Sequence, residues 1–282
     1  MKKIIIDTDI GFDCDDAGAL AIAFDAAAKK KIELLAVTCS IDNLNSCKMI
    51  EKMLRQYEID VPIGRCGKKG FMTDELGDKF TLPLAGDLGK NDYPDGINLM
   101  KGLLYQNNNV TIVTIGSFIN IAELLHKEPQ LLESSGAELV SMAGDFETDT
   151  RCEFNVRCSI ESARYTTANC GVPITYCGFE AGAAVVTGAL LEGCDEEFLV
   201  RQAYRIHQNG GYLRPSWDLL TVYYAVYGLG EILSLSDGYT VSFDGKGRTV
   251  KKRGGRDRYI ICRDGKKAAA VLDRLMCGPF LK

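Results

Sequence analysis

The stretch IIIDTDIGFDCDDAGALA, residues 4–21, decides how the rest of the chain reads. Ile4, Ile5 and Ile6 form a short apolar run, the pattern of a buried strand, and the strand ends at Asp7-Thr8-Asp9. Alternate residues of a strand share a face, so Asp7 and Asp9 are expected to point the same way. Gly11 breaks the pattern. Asp15 and Asp16 then open a helix whose apolar residues include Ala17, Ala19, Leu20 and Ile22. Five aspartates fall within ten residues at this strand-loop-helix junction. In open α/β sheets, ligands bind outside the carboxyl ends of the strands. Carboxylates packed this densely repel one another unless some are protonated or a cation neutralises them. No Cys/His cluster accompanies them, so the fitting counter-charge is a hard cation with oxygen ligands. Helix-dipole compensation accounts for Asp15 and Asp16 but not for Asp7, Asp9 and Asp13.

Composition sets the frame. The 282 residues are 46% hydrophobic and 25% charged, as expected of a globular chain. A net charge of −5 argues against a nucleic-acid backbone as partner. The eleven cysteines are odd in number and form no CxxC pair, which reads as reduced thiols in a cytoplasmic protein. No apolar run is long enough to span a membrane, so no membrane partner is expected. The N-terminal apolar run is too short for a signal peptide.

Working outward, residues 12–30 read as a helix and 33–38 (ELLAVT) as a second strand, a βαβ unit with parallel strands. A helix through about residue 57 follows Asp42-Asn43, and the pair is placed to cap it. Residues 61–64 read as a third strand. Residues 65–96 show no firm periodicity, the mark of a lid or binding loop. Strands are expected at 110–115 (VTIVTI), 138–143 (ELVSMA) and 173–177, and helices at 160–168, 184–191, 196–207 and 266–276. Ser216-Trp217-Asp218 precedes the helical LLTVYYAVYG. Residues 239–262 read as a β hairpin centred on Gly245-Lys246-Gly247, with Lys251-Lys252-Arg253 as a solvated turn. His126 and His207 are the only histidines, and both are expected at the surface, although His207 lies near Tyr204 and Tyr212. There is no internal repeat and no Pro/Ser-rich linker. The expected fold is one α/β domain over 1–282, a three-layer α/β/α arrangement with a mostly parallel, Rossmann-like central sheet.

Asp9 through the Asp15-Asp16 pair resembles the N-terminal signature of the inosine/uridine-preferring nucleoside hydrolases, Asp-x-Asp-Pro-Gly-x-Asp-Asp running into an Ala-rich helix. Ile10 stands where that family has Pro, and the segment up to the Asp pair is two residues longer. The insertion leaves open which of Asp13, Asp15 and Asp16 does which job. Further blocks follow in the family's order: Asn43; the 110–115 strand with Gly116-Ser117 and Asn120-Ile121-Ala122; Glu153-Phe154-Asn155; and Trp217-Asp218. Glu147 replaces an Asn usual six residues before the Glu, and Trp217 replaces a usual His, as in purine-selective relatives.

The resemblance implies metal-dependent hydrolysis of the N-glycosidic bond of ribonucleosides. It implies Ca2+ held by Asp9, Asp16, Asp218 and the Ile115 carbonyl, with Mg2+ not separable from sequence. It implies Asp9 as base, ribose contacts from Asp15, Asn43, Glu153 and Asn155, and Trp217 stacked on a purine. A homo-oligomer, dimer or tetramer, is the expected assembly. Two other readings compete. Asp7-Thr8-Asp9 and Gly144-Asp145-Phe146-Glu147-Thr148-Asp149 resemble haloacid dehalogenase-type phosphatase motifs, but that reading leaves Asp15-Asp16, Glu153-Phe154-Asn155 and Trp217-Asp218 unexplained. A nucleoside-binding relative without turnover is the other.

Overall fold

Ile4, Ile5 and Ile6 are completely buried, and the strand they build, β1 (Lys2–Thr8), lies inside the main sheet. The computed structural model describes residues 1–73 and 78–282. Strand β1 runs into α1 (Asp15–Ala28), β2 (Ile32–Cys39) into α2 (Leu44–Gln56), and β3 (Ile63–Gly64) precedes α3 (Thr81–Ala85) and α4 (Gly96–Gln106). β4 (Val110–Thr114) leads to α5 (Ile119–Lys127) and α6 (Leu131–Ser134), and β5 (Glu138–Met142) to α7 (Phe154–Cys158) and α8 (Ile160–Asn169). β6 (Ile174–Cys177) is followed by α9 (Phe179–Ala183), β7 (Val186–Thr187), α10 (Leu199–His207), β8 (Arg214–Pro215) and α11 (Trp217–Tyr227). Then come β9 (Leu233–Leu235), β10 (Tyr239–Phe243), β11 (Thr249–Arg253), β12 (Arg258–Cys262) and α12 (Gly265–Cys277).

The eight-stranded sheet has the order β3-β2-β1-β4-β5-β6-β12-β9. Every pairing in it is parallel except β12 with β9. From β1 the chain builds outward to β2 and β3 on one side, then returns to start β4, β5 and β6 on the other. The β1/β4 boundary is therefore the switch point where such sheets open a crevice at their carboxyl edge. Residue alternation along β1 divides the core. Ile4 and Ile6 pack with Leu20 and Phe24 of α1, Tyr204 of α10, Leu219 of α11 and Leu272 of α12. Ile5 joins the opposite layer with Met100 of α4, Leu124 of α5 and Ala163 of α8. Three layers result, as the βαβ pattern requires. Fully burying one such isoleucine contributes about 1.5–3 kcal/mol.

Three local expectations fail for identifiable reasons. Residues 184–191 are not a helix: Val186–Thr187 pairs antiparallel with Arg214–Pro215. Gly188 takes φ +109° and approaches Tyr212 so closely that a Cβ would stand 1.9 Å from its carbonyl oxygen. Residues 239–262 are not one hairpin. β10 and β11 pair with each other, while β12 leaves to join β6 in the main sheet. Asp257 makes the branch, its two carboxylate oxygens accepting from Ile174 N (3.0 Å) and Val241 N (2.9 Å). Lys251-Lys252-Arg253 lies on strand β11 rather than in a turn. All eleven cysteines are free thiols. No helix among the described residues is long and apolar enough to cross a membrane.

Candidate active site

The carboxyl end of β1 sets the site. The strand stops at Thr8, so its alternation does not carry through to Asp9. Asp7 and Asp9 consequently go to different places. Asp7 is wholly buried, accepting from Thr38 Oγ1 and Asn120 Nδ2 (2.7 Å), and does not line the cavity. Asp9 lines a cavity of about 460 Å³ with Asp15, Asp16, Asp218, Glu153, Asn155 and Ile115.

Asp15 and Asp16 sit in the first turn of α1, and Asp218 in the first turn of α11. Asp15 ties the two helices together: its Oδ2 accepts from the backbone N–H groups of Trp217 (3.1 Å) and Asp218 (3.2 Å). Thr8 Oγ1 donates to Asp16. Ligand oxygens of Asp15, Asp16 and Asp218 lie within 4.8 Å of one another, and all three side chains are buried. Burial pushes all three carboxyls well above the usual range, and their mutual repulsion pushes the same way. Asp9 is pushed up to about 8, by burial first and then by the charges of Glu153, Asp7 and Asp13. The donor set of the Asp15-Asp16-Asp218 cluster is carboxylate oxygen, with the Ile115 carbonyl on the same cavity wall; contrary to the expectation of no Cys/His neighbour, a second group, Asp13, Cys14 and His207, also comes together. Arg214, on the cavity wall, pairs with Asp13 rather than with the clustered carboxylates. A hard divalent cation fits such a set, both in ligand chemistry and in charge.

The facing wall is built by the start of α7. Glu153 caps that helix, accepting from Asn155 N (2.8 Å) and Val156 N (3.2 Å), and also from Gly144 N (3.3 Å). Burial raises its carboxyl to about 7 despite those bonds. Asn155 Nδ2 donates to the carbonyls of Ile115 (3.0 Å) and Met142 (3.1 Å), linking this wall to the ends of β4 and β5. Asn43 stands apart. It caps α2 by accepting from Asn45 N (2.8 Å), donates to Asp78 (2.9 Å), and does not line the cavity. Glu147 is exposed and also outside it.

Phe12, Phe154, Phe179 and Trp217 line the cavity with aromatic rings. Phe12 and Phe154 have centroids 6.1 Å apart, and Phe179 and Trp217 5.6 Å. Trp217 Nε1 donates to the Phe179 carbonyl (2.8 Å), so its N–H is committed to the protein. His207 is not a surface residue but lines the cavity, half-buried, 3.9 Å from Asp13. His126 is exposed, stacked on Tyr165 at 3.8 Å.

Phe12, Phe179, Arg214 and Lys79 were not legible as site residues. Phe179 carried a signal, since it follows directly on the carboxyl end of β6. Arg214 carried none, because the fork it makes with Asp13 bridges 201 positions of sequence. The phosphatase reading needs Asp7 and Asp145 at the cavity. Neither lines it: Asp145 instead accepts from Glu147 N and Thr148 N and pairs with Arg151.

The profile of the family described as "Inosine-uridine preferring nucleoside hydrolase" matches residues 4–275. The chain belongs to that family. The family is metal-dependent, and the acidic cluster is this member's candidate metal site. Among its relatives is a pyrimidine-specific ribonucleoside hydrolase, RihA, of Enterobacter sp. (strain 638). It is 28% identical over 196 residues, which cover 63% of this chain and 59% of the relative's length. A plant nucleoside hydrolase shares the fold at a TM-score of 0.78 and 19% identity, with 99% of each chain covered. A purine-preferring ribonucleoside hydrolase from Gardnerella vaginalis does so at 0.75 and 16%, with 98% of each covered.

Proposed function

We infer that this family member hydrolyses the N-glycosidic bond of ribonucleosides to free base and ribose. One observation carries the reading. Asp9 lies in the same cavity as the buried acidic cluster and the Glu153-Asn155 wall, and its burial holds its carboxyl at about 8. Without a counter-cation that carboxyl is protonated at neutral pH; a bound divalent cation favours its ionised form, and the carboxylate can then take a proton from water.

Asp16 and Asp218 of that cluster, with Asp9 and the Ile115 carbonyl on the same cavity wall, would hold a calcium ion, while Asp15, whose Oδ2 already accepts from the Trp217 and Asp218 N–H groups, is left to the sugar. When bound, such an ion neutralises the clustered charge and eases loss of a proton from water. Asp9 accepts that proton. Glu153, Asn155 and Asp15 supply hydrogen-bonding groups for ribose hydroxyls, holding the sugar in the cavity that Asp9 lines. Bonds of this kind tighten as the sugar acquires oxocarbenium character. Phe12, Phe154, Phe179 and Trp217 enclose the base. With its N–H engaged, Trp217 offers a ring face rather than a donor, and purines present more area to it than pyrimidines. Purine ribonucleosides are therefore the favoured substrates.

The test is free ribose released from inosine, uridine and their 2′-deoxy analogues. Ribonucleosides should turn over with kcat/KM about 10²-fold or more above the deoxy forms, because the missing hydroxyl leaves buried polar groups unpaired. Equal rates would remove Glu153, Asn155 and Asp15 from the sugar contacts. A preference for uridine over inosine would remove the purine reading.

Gly182 supports Trp217 from behind. A Cβ there would stand 2.2 Å from Trp217 Cδ1 and 2.5 Å from its Cα. Gly182→Ala must shift Trp217 and with it Asp218. Its kcat/KM on inosine should fall about 10²-fold, the effect of a misplacement near 1 Å. Wild-type kinetics in a folded Gly182→Ala protein would show that the placement of Trp217 does not matter.

A further inference from the structure

Cleavage of a C1′–N bond leaves the bonding electron pair on the base, so the cavity needs a group that protonates the base or stabilises its charge. Most donors facing the cavity are already engaged. Trp217 Nε1 is held by Phe179 O, and Asn155 Nδ2 by the Ile115 and Met142 carbonyls. His207 Nδ1 accepts from Gln208 Nε2 (3.1 Å), which leaves its proton on Nε2, where Phe12 O sits at 3.2 Å. Asp13, Arg214 and Lys79 are the charged groups facing that imidazole, and burial lowers its pKa. Lys79 is exposed and donates a hydrogen bond to the His207 carbonyl (2.7 Å).

Arg214 differs. Its Nε (3.0 Å to Oδ1) and Nη2 grip the Asp13 carboxylate, and Nη1 has no partner among the described residues. The guanidinium carbon lies 5.4 Å from the Trp217 ring centroid, on the cavity wall. Asp13 belongs to the segment between Asp9 and Asp15 that is two residues longer than the family signature.

We propose that Arg214 activates the leaving base, its guanidinium stabilising the negative charge on the departing heterocycle, with Asp13 as the positioning residue that aims it. The inference rests on the ribonucleoside hydrolysis proposed above. The water oxygen bonds to C1′ as the C1′–N bond breaks, and the water's proton passes to Asp9. The electron pair of the broken bond stays on the base nitrogen. Arg214 keeps all its protons and donates hydrogen bonds, and solvent supplies the proton that neutralises the released base. A guanidinium suits this task because it stays charged across the working pH range and its fork matches the Asp13 carboxylate.

The test compares inosine with 4-nitrophenyl riboside, whose leaving group needs no activation, in Arg214→Gln, Arg214→Lys and Asp13→Asn versions of the full chain. Folding is followed by Tm. Arg214→Gln should lower kcat on inosine about 10²-fold or more, with a loss on the nitrophenyl riboside at least about tenfold smaller. Arg214→Lys should recover part of the loss, since charge remains but the fork is gone. It also carries the same comparison if the glutamine variant does not fold. Asp13→Asn should lower kcat on inosine with little change in KM. Equal losses on both substrates in the arginine variants would overturn the inference while leaving the hydrolase reading intact. A selective loss in His207→Gln but not in Arg214→Gln would move the role to His207 and overturn it as well. Wild-type protein that cleaves neither substrate would overturn both the hydrolase reading and this inference.

Discussion

Asp9→Asn is expected to lower kcat on ribonucleosides by about 10³-fold or more, within the range that loss of a positioned base produces. The substitution keeps the shape and removes the proton acceptor. Asp9 also faces the acidic cluster, whose members Asp16 and Asp218 both feel its charge. Loss of that charge weakens the site for a divalent cation, so the effect on kcat exceeds that of a base alone. The measurement is steady-state kinetics on inosine at saturating calcium, with calcium affinity determined in parallel by calorimetry. An Asp9→Asn protein that retains a tenth or more of wild-type kcat would remove Asp9 from the base role.

The second large effect is on stability. Burial holds Asp9 up at about 8 and Glu153 at about 7, and it pushes Asp15, Asp16 and Asp218 well above the usual carboxylate range, with neighbouring aspartates pushing the same way. A carboxyl raised in the folded state binds its proton more tightly there than in the unfolded chain. Its stabilising contribution is complete below the unfolded pKa, near 4, and is lost as pH rises through the folded value. In EDTA the Tm should therefore fall between about pH 5 and pH 8. Calcium binds the ionised form, so its stabilisation should grow over the same interval. At 100-fold excess over Kd it contributes about 2.7 kcal/mol, or about 5 °C for a chain of 282 residues. A Tm at pH 8 indifferent to calcium, or one that rises with pH in EDTA, would contradict the proposed metal site.

The fold was legible because its central strands carry short, buried apolar runs. Ile4, Ile5 and Ile6 are buried on both faces of the sheet, so hydrophobic run length and βαβ order were enough. Pairings that depend on contacts far away in sequence were not legible. β7 with β8 and β12 with β6 are set by a positive-φ glycine at 188 and by the Asp257 carboxylate, neither of which leaves a periodic trace. The N-terminal part of the acidic site, Asp9, Asp15 and Asp16, showed in its spacing at the sheet's carboxyl edge, and Asp218 only through the family resemblance. The aromatic and cationic half did not. Phe12, Phe179 and Arg214 are common residue types whose roles follow only from their convergence on one cavity from the β1–α1 loop, α9 and β8. Asn43 shows the converse: a plausible ligand in sequence that the chain uses to cap α2.

Turnover of inosine in oxygen-18 water, with calcium present, tests the central claim most directly. The products are separated and the ribose is analysed by mass spectrometry. Attack of water on C1′ places one oxygen-18 atom on the anomeric carbon of ribose and none on hypoxanthine, and Asp9→Asn protein gives almost none of either product. Absence of free ribose from folded, calcium-loaded wild-type protein, or ribose without the label, would contradict hydrolysis of the glycosidic bond at this site.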